Sequence, residues 1–144
     1  MKNIILFAFL ILSVTLYAQN EFFPQKIESA FKSKYPNTKI DNWYGENDLF
    51  FVEFYLNGSF CTAVFDNEGL WKETSEVISE LDLTSVLQEY VSNNFPYGII
   101  SYCEKVETNS SESFIRINIE NNNKTVVLKS DYEGKNIEIL KNEK

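Results

Sequence analysis

The stretch Phe-Phe-Val-Glu-Phe-Tyr-Leu-Asn-Gly-Ser-Phe-Cys-Thr-Ala-Val-Phe, residues 50 to 65, consists of two alternating runs joined by Asn57-Gly58. Asn-Gly between such runs specifies a two-residue type I′ turn, in which both central residues take positive φ. A turn that short fixes the strand register, and a slip of one residue would exchange the two faces. It sets Leu56 opposite Ser59, Tyr55 opposite Phe60, Phe54 opposite Cys61, Glu53 opposite Thr62, Val52 opposite Ala63, Phe51 opposite Val64 and Phe50 opposite Phe65. One face then holds Phe50, Val52, Phe54, Leu56, Cys61, Ala63 and Phe65, and this nearly unbroken apolar surface predicts a helix packed over it. The other holds Phe51, Glu53, Tyr55, Phe60, Thr62 and Val64, which is more aromatic than a solvated sheet face requires.

The chain around this hairpin reads as two copies of one pattern. Phe23, Ile27, Ala30, Phe31 and Tyr35 have helical spacing, with Pro24 suited to a first turn and Pro36 as a stop. Leu83, Val86, Leu87, Tyr90 and Val91 repeat that spacing, with Asp82 or Thr84 as cap and Phe95-Pro96 as the stop. After each aromatic-proline pair come four strand-like runs: 39–44, 50–56, 60–65 and 70–74, then 99–106, 114–119, 125–130 and 136–140. Asp66-Asn67-Glu68-Gly69 and Asp131-Tyr132-Glu133-Gly134 stand at matching places before the last run. The offset between the copies drifts from 60 to 65, and the extra residues are expected in the loops 107–113 and 121–123. The expected fold is therefore α+β, a tandem repeat of two units, each a helix on a four-stranded antiparallel sheet, spanning 19–76 and 77–144. The outer face of the second unit, with Phe114, Arg116, Asn118, Thr125, Val127 and Lys129, is more polar than that of the first.

Residues 1–18 have the three parts of a secretory signal peptide: Lys2, the apolar run 4–16, and small-residue cleavage at Ala18. That run falls short of the roughly 20 residues that span a bilayer, so the expected location is periplasmic or secreted, with no membrane span after cleavage. Removal of Lys2 with the leader turns the net charge of −8 into −9, and Arg116 is the single arginine. An acidic chain of this kind is a poor binder of nucleic acid or anionic membrane.

The inventory of reactive groups argues against an enzyme. With no His, the familiar Ser/His and Cys/His arrangements are absent. Asp66 with Glu68, and Asp131 with Glu133, sit in short turns where Asp caps the backbone and Gly takes the left-handed position. Weak calcium binding by these acidic turns is the alternative, and paired-acid hydrolysis is a more remote one. Cys61 and Cys103 lie in apolar runs, which favours buried thiols over a bridge, although export permits a disulfide. No metal site or cofactor is expected, and Trp43 and Trp71 read as packing residues.

The strings 27–43 (from Ile27 to Trp43), 52–74 (from Val52 to Thr74), 86–96 (from Val86 to Pro96) and 131–135 (from Asp131 to Lys135) resemble the exported bacterial family described as beta-lactamase-inhibitor-like and PepSY-like. The resemblance rests on Tyr35-Pro36, Trp43, Val52-Glu53-Phe54, Asn57-Gly58, Phe65-Asp66 with Gly69, and Trp71. It implies tandem helix-on-sheet repeats whose two sheets form a curved surface, and a non-catalytic exported protein. Phe51 and Tyr55 depart from the family, which more often has polar residues there. Cys103 stands where the first unit has Trp43, and Asn122-Asn123 where it has Asn57-Gly58.

The resulting expectation is a non-catalytic binding or inhibitor-like protein that meets a partner, such as an exported hydrolase, through Phe51, Glu53, Tyr55, Phe60 and Val64. Two alternatives stay open for that face: it only stabilises the strand pairing, or it is buried in a homodimer. An envelope protein binding calcium or a small ligand through the acidic turns is the competing function.

Overall fold

The computed structural model describes residues 22–143, so the leader expected at 1–18 lies outside the described residues. Helix α1 (Gln25–Lys34) is followed by strands β1 (Ile40–Glu46), β2 (Leu49–Leu56), β3 (Ser59–Asp66) and β4 (Trp71–Ile78). A 3-10 turn (Glu80–Asp82) and helix α2 (Ser85–Asn94) lead into β5 (Ile99–Thr108), β6 (Ser113–Asn121), β7 (Lys124–Ser130) and β8 (Glu138–Glu143). All strands lie in one antiparallel sheet in chain order, β1 to β8. This corrects the expectation of two sheets: β4 and β5 pair directly, from Glu73 opposite Thr108 to Ile78 opposite Cys103.

Local chemistry accounts for the element boundaries. The Pro24 carbonyl accepts from the N–H groups of Ile27 and Glu28, so the helix begins just after the proline, two residues later than the apolar spacing suggests. Thr84 caps α2, its hydroxyl oxygen accepting from the Leu87 N–H. Both helices end before an aromatic-proline pair, where the ring of the proline disfavours helical backbone in the residue ahead of it.

The hairpin register is the expected one at every position from Leu56 opposite Ser59 to Phe50 opposite Phe65. Asn57 and Gly58 have φ of 53° and 90°, the positive pair that a type I′ turn demands. Asn122 and Asn123 make the same kind of turn, with φ of 50° and 63°. Residues 121–123 therefore hold no insertion, contrary to expectation. The whole drift falls before β6: Trp43 faces Val52, whereas Cys103 faces Ile117 across a longer loop.

The register puts both helices on one face of the sheet. Ile27 and Phe31 of α1 pack on Val52, Phe54, Cys61, Ala63 and Phe65. The Phe31 and Phe54 rings meet edge to face at 5.0 Å. Leu83, Leu87 and Val91 cover Cys103, Ile115, Ile117, Ile119, Val126 and Leu128 in the same manner. Gly98 is required at its position, because a Cβ there would lie 2.7 Å from the Ile119 side chain.

Neighbouring residues on β2 should respond oppositely to truncation. Phe54→Ala is expected to cost about 3–5 kcal/mol in denaturant unfolding, whereas Tyr55→Ser on the opposite face should cost less than about 1 kcal/mol. Similar losses at both positions would mean that the two faces are not distinguished as described.

Candidate binding face

Rows of residues on the face opposite the helices follow from the pairing. Tyr44, Phe51, Val64, Glu73 and Thr108 form one row across β1 to β5. Asn42, Glu53, Thr62, Ser75, Val106 and Phe114 form the next, continuing into β6. No helix covers this face among the described residues, yet Val106 is 0% exposed and Val64, Ser75, Glu104 and Phe114 are also buried.

Curvature explains that burial. Five buried residues on a face without a covering helix require their neighbours' side chains to converge over them, which makes the face concave over its middle strands. The Tyr44 hydroxyl is pushed up by burial first and then by the charges of Glu53, Glu46 and Glu104.

Arg116 lies at the centre of this concavity. Its Nη2 donates to both carboxylate oxygens of Glu73, at 2.9 and 3.1 Å, and its Nη1 donates to Glu104 Oε1 at 2.6 Å. Burial would lower the pKa of the guanidinium, but the two carboxylates outweigh it and the net shift is upward. The bridge links β4 to β6 across β5, and the register puts Val106 between Arg116 and Glu73. Shielding of Val106 by this ion pair is the direct consequence. Arg116 is thus the chief residue of the face that reasoning from the hairpin alone passed over; the signal was a lone arginine in an acidic chain, inside an apolar strand.

The five residues expected to meet a partner are not equally available. Tyr55 is 58% exposed, and its ring meets the half-buried Phe60 edge to face at 5.4 Å. Half-buried Phe51 stacks on Tyr44, with centroids 4.8 Å apart and planes 6° from parallel. Glu53 lies between these pairs, one of its carboxylate oxygens accepting from Asn42 Nδ2 at 2.9 Å. Val64 is only 7% exposed and supports its neighbours from beneath. Tyr44 and Tyr102 join the face from β1 and β5, and neither was signalled by the hairpin.

Other candidate groups are occupied with structure. Asp66 Oδ1 accepts from the N–H groups of Glu68 and Leu70, and Asp131 Oδ1 from those of Glu133 and Lys135. The Lys72 side chain, followed by those backbone donors, holds Asp66 below the usual carboxylate range. Among the described residues, no three His, Cys, Asp or Glu side chains come together as metal ligands would. Cys61 and Cys103 are buried free thiols, one in each apolar cluster, and burial pushes Cys103 up to about 11. An open groove of about 510 Å³ lies elsewhere, between α2 and β5. No helix among the described residues is long and apolar enough to cross a membrane.

A helix-backed antiparallel sheet with a concave aromatic face defines a class of open-faced α+β protein. Residues 14–46 and 48–138 match the family described as "Putative beta-lactamase-inhibitor-like, PepSY-like", and the chain belongs to that family. Its fold is similar to that of a BLIP-like protein from Bacteroides fragilis, at 18% identity and TM-score 0.63, covering 85% of this chain and 87% of that one. A DUF2874 family protein from Bacteroides ovatus is 23% identical with TM-score 0.66, covering 84% of this chain and 86% of that one. A protein from Bacteroides eggerthii described as periplasmic is 15% identical with TM-score 0.67, covering 85% and 88%. No curated protein matches the chain.

Two outcomes follow from the geometry. Arg116→Gln strands Glu104 in a buried place and should cost about 3 kcal/mol, the low end for a broken buried pair because Arg116 keeps some solvent. Adding Glu104→Gln should restore at least about 1 kcal/mol of that loss, and strictly additive losses would contradict the coupling. Burial, then Glu104, pushes the Tyr102 hydroxyl up to about 12 from 10.0. The unfolded chain releases this proton first, so the tyrosine's contribution is complete below about pH 10 and is lost as pH rises towards 12. Tyr102→Phe should flatten the fall in stability across that window, and an unaltered alkaline limb would refute the assignment.

Proposed function

We propose that the chain is an exported, non-catalytic binding protein of the inhibitor-like kind, which meets a partner protein through the concave sheet face. The observation that carries this reading is a sheet face, with no covering layer among the described residues, that still concentrates Phe51, Tyr55 and Phe60 around Glu53. Clustered aromatic rings around a polar centre are the composition of a protein contact surface. The family description and the BLIP-like fold neighbour support a hydrolase as the class of partner. Export is supported by the leader-like residues 1–18 and by the periplasmic description of one fold neighbour.

We read residues 19–76 and 77–144 as two copies of one helix-plus-four-strand unit. The constant offset of 65 from Val52/Ile117 through Asn57/Asn122 to Gly69/Gly134 supports this, as does one helix and one apolar cluster in each half. In this reading the first copy carries the apolar contacts of the face and the second supplies Arg116, which braces it.

The test is inhibition of a panel of purified exported β-lactamases, with sedimentation of the free protein alongside. At least one enzyme should be inhibited, and Tyr55→Ser/Phe60→Ser should weaken that inhibition at least roughly 30-fold with little change in Tm. Equal inhibition by the variant would overturn the use of this face. A wild-type dimer that the variant dissolves, with no enzyme inhibited, would replace the partner by a second copy of the chain.

A further inference from the structure

The sheet has an open edge in its interior as well as at its ends. Strand β5 begins at Ile99, but its pairing with β4 stops at Ile78 opposite Cys103, so residues 99–102 pair only with β6. The ladder does not continue past Ile78, because Ser79 opens the 3-10 turn. Its N–H donates to an Asp82 carboxylate oxygen and its hydroxyl oxygen accepts from the Leu81 N–H, both at 3.2 Å. Gln88 Nε2 donates to the carbonyls of Glu80 and Leu83, at 3.2 and 3.0 Å, and so holds this turn against α2. Beside the unpaired stretch lies the groove of about 510 Å³, and a recess of about 180 Å³ adjoins it at Glu80 and Ile100. Buried Val91 and half-buried Phe95 and Ile100 line the groove together with Leu81 and Ile99, which are 81% and 68% exposed. Glu80 is the one charged residue among the described lining of both spaces.

We propose that this groove receives an extended apolar peptide segment of a partner protein, with basic residues at its flanks, added as a strand in line with β4 and antiparallel to β5. This is a second surface, independent of the concave face. An unpaired strand edge presents backbone N–H and C=O groups to whatever lies alongside it, and an extended backbone matches their spacing. Four residues of such a backbone span about 13 Å. Alternate side chains of the added strand point to the α2 side, where contact with Leu81 and Ile99 removes apolar surface of both partners from water. A carboxylate in the groove and a chain of net charge −8 favour lysine or arginine beside the apolar run and disfavour an acidic segment. A helix laid in the same groove would leave the edge unpaired, so the edge decides for a strand.

The probe is acetyl-Lys-Val-Thr-Val-Thr-Val-Lys-amide, titrated into the full mature chain and followed by NMR. Saturable shifts are expected at Leu81, Ile99, Ile100 and Ser101, with a dissociation constant on the order of millimolar or below. A peptide with Glu for both Lys should bind more weakly, and equal binding overturns the basic flanks. N-methylation of the valine amides in one peptide and of the threonine amides in another separates backbone pairing from apolar contact, because only one of the two sets faces β5. One methylated peptide should lose binding and the other keep it; equal effects of the two overturn the added strand. Leu81→Ser, at an exposed position, should weaken binding at least roughly tenfold with Tm unchanged. No saturable shift, or shifts indifferent to Leu81→Ser, overturns the groove as the site. A dimer in sedimentation that Leu81→Ser dissolves would give the groove to a second copy of the chain and overturn the partner peptide. Tyr55→Ser/Phe60→Ser should leave the peptide shifts in place, which keeps this test separate from that of the concave face.

Discussion

The central strands have to be kept from water on two faces, and among the described residues helices are available for only one. On that side α1 and α2 cover Phe54 and Ile117 fully. On the other, the side chains cover one another, and the bridge from Arg116 to Glu73 and Glu104 lies across Val106. A buried ion network is a poor source of net stability, because desolvation cancels much of its attraction. What it supplies is geometry: it couples β4, β5 and β6, and so joins the strands beneath α1 to those beneath α2.

The aromatic excess on the hairpin acquires two explanations from this shape. Val64 is buried beneath its neighbours, so part of the apolar content serves the sheet. Tyr55 is not, and the Tyr44/Phe51 stack retains an open ring. A single hairpin therefore carries residues that hold the face together, such as Val64, and residues that it presents, such as Tyr55. The chain belongs to the inhibitor-like family, and that gives the arrangement its functional direction.

Most of the fold was legible because short turns leave so little freedom. Asn57-Gly58 determined seven cross-strand pairs, and proline after Tyr35 and Phe95 marked both helix ends. Asn47-Asp48 makes a further turn with both φ positive, at 49° and 62°, where only the tolerance of these side chains for left-handed backbone gave a clue. The continuity of the sheet was not legible, since pairing between β4 and β5 joins segments separated by a whole helix. Nor was the full set of residues on the concave face. Tyr44, Tyr102 and Arg116 come from three strands, and hydrophobic alternation assigns each a side of the sheet without saying how far the sheet bends. Residues such as Phe51 and Glu53, which lie within one hairpin, could be grouped; their distant neighbours could not.

Site-resolved photocrosslinking in an exporting cell tests most directly whether the concave face is where this protein meets its partner. A photoreactive residue would replace Tyr55 on that face or Val86 on the exposed side of α2. Position 55 should give a discrete adduct with another exported protein, and position 86 should give none. An adduct from position 86 alone would put the contact on the helical side, and an adduct from position 55 of twice the chain's own mass would make the face a self-association surface instead.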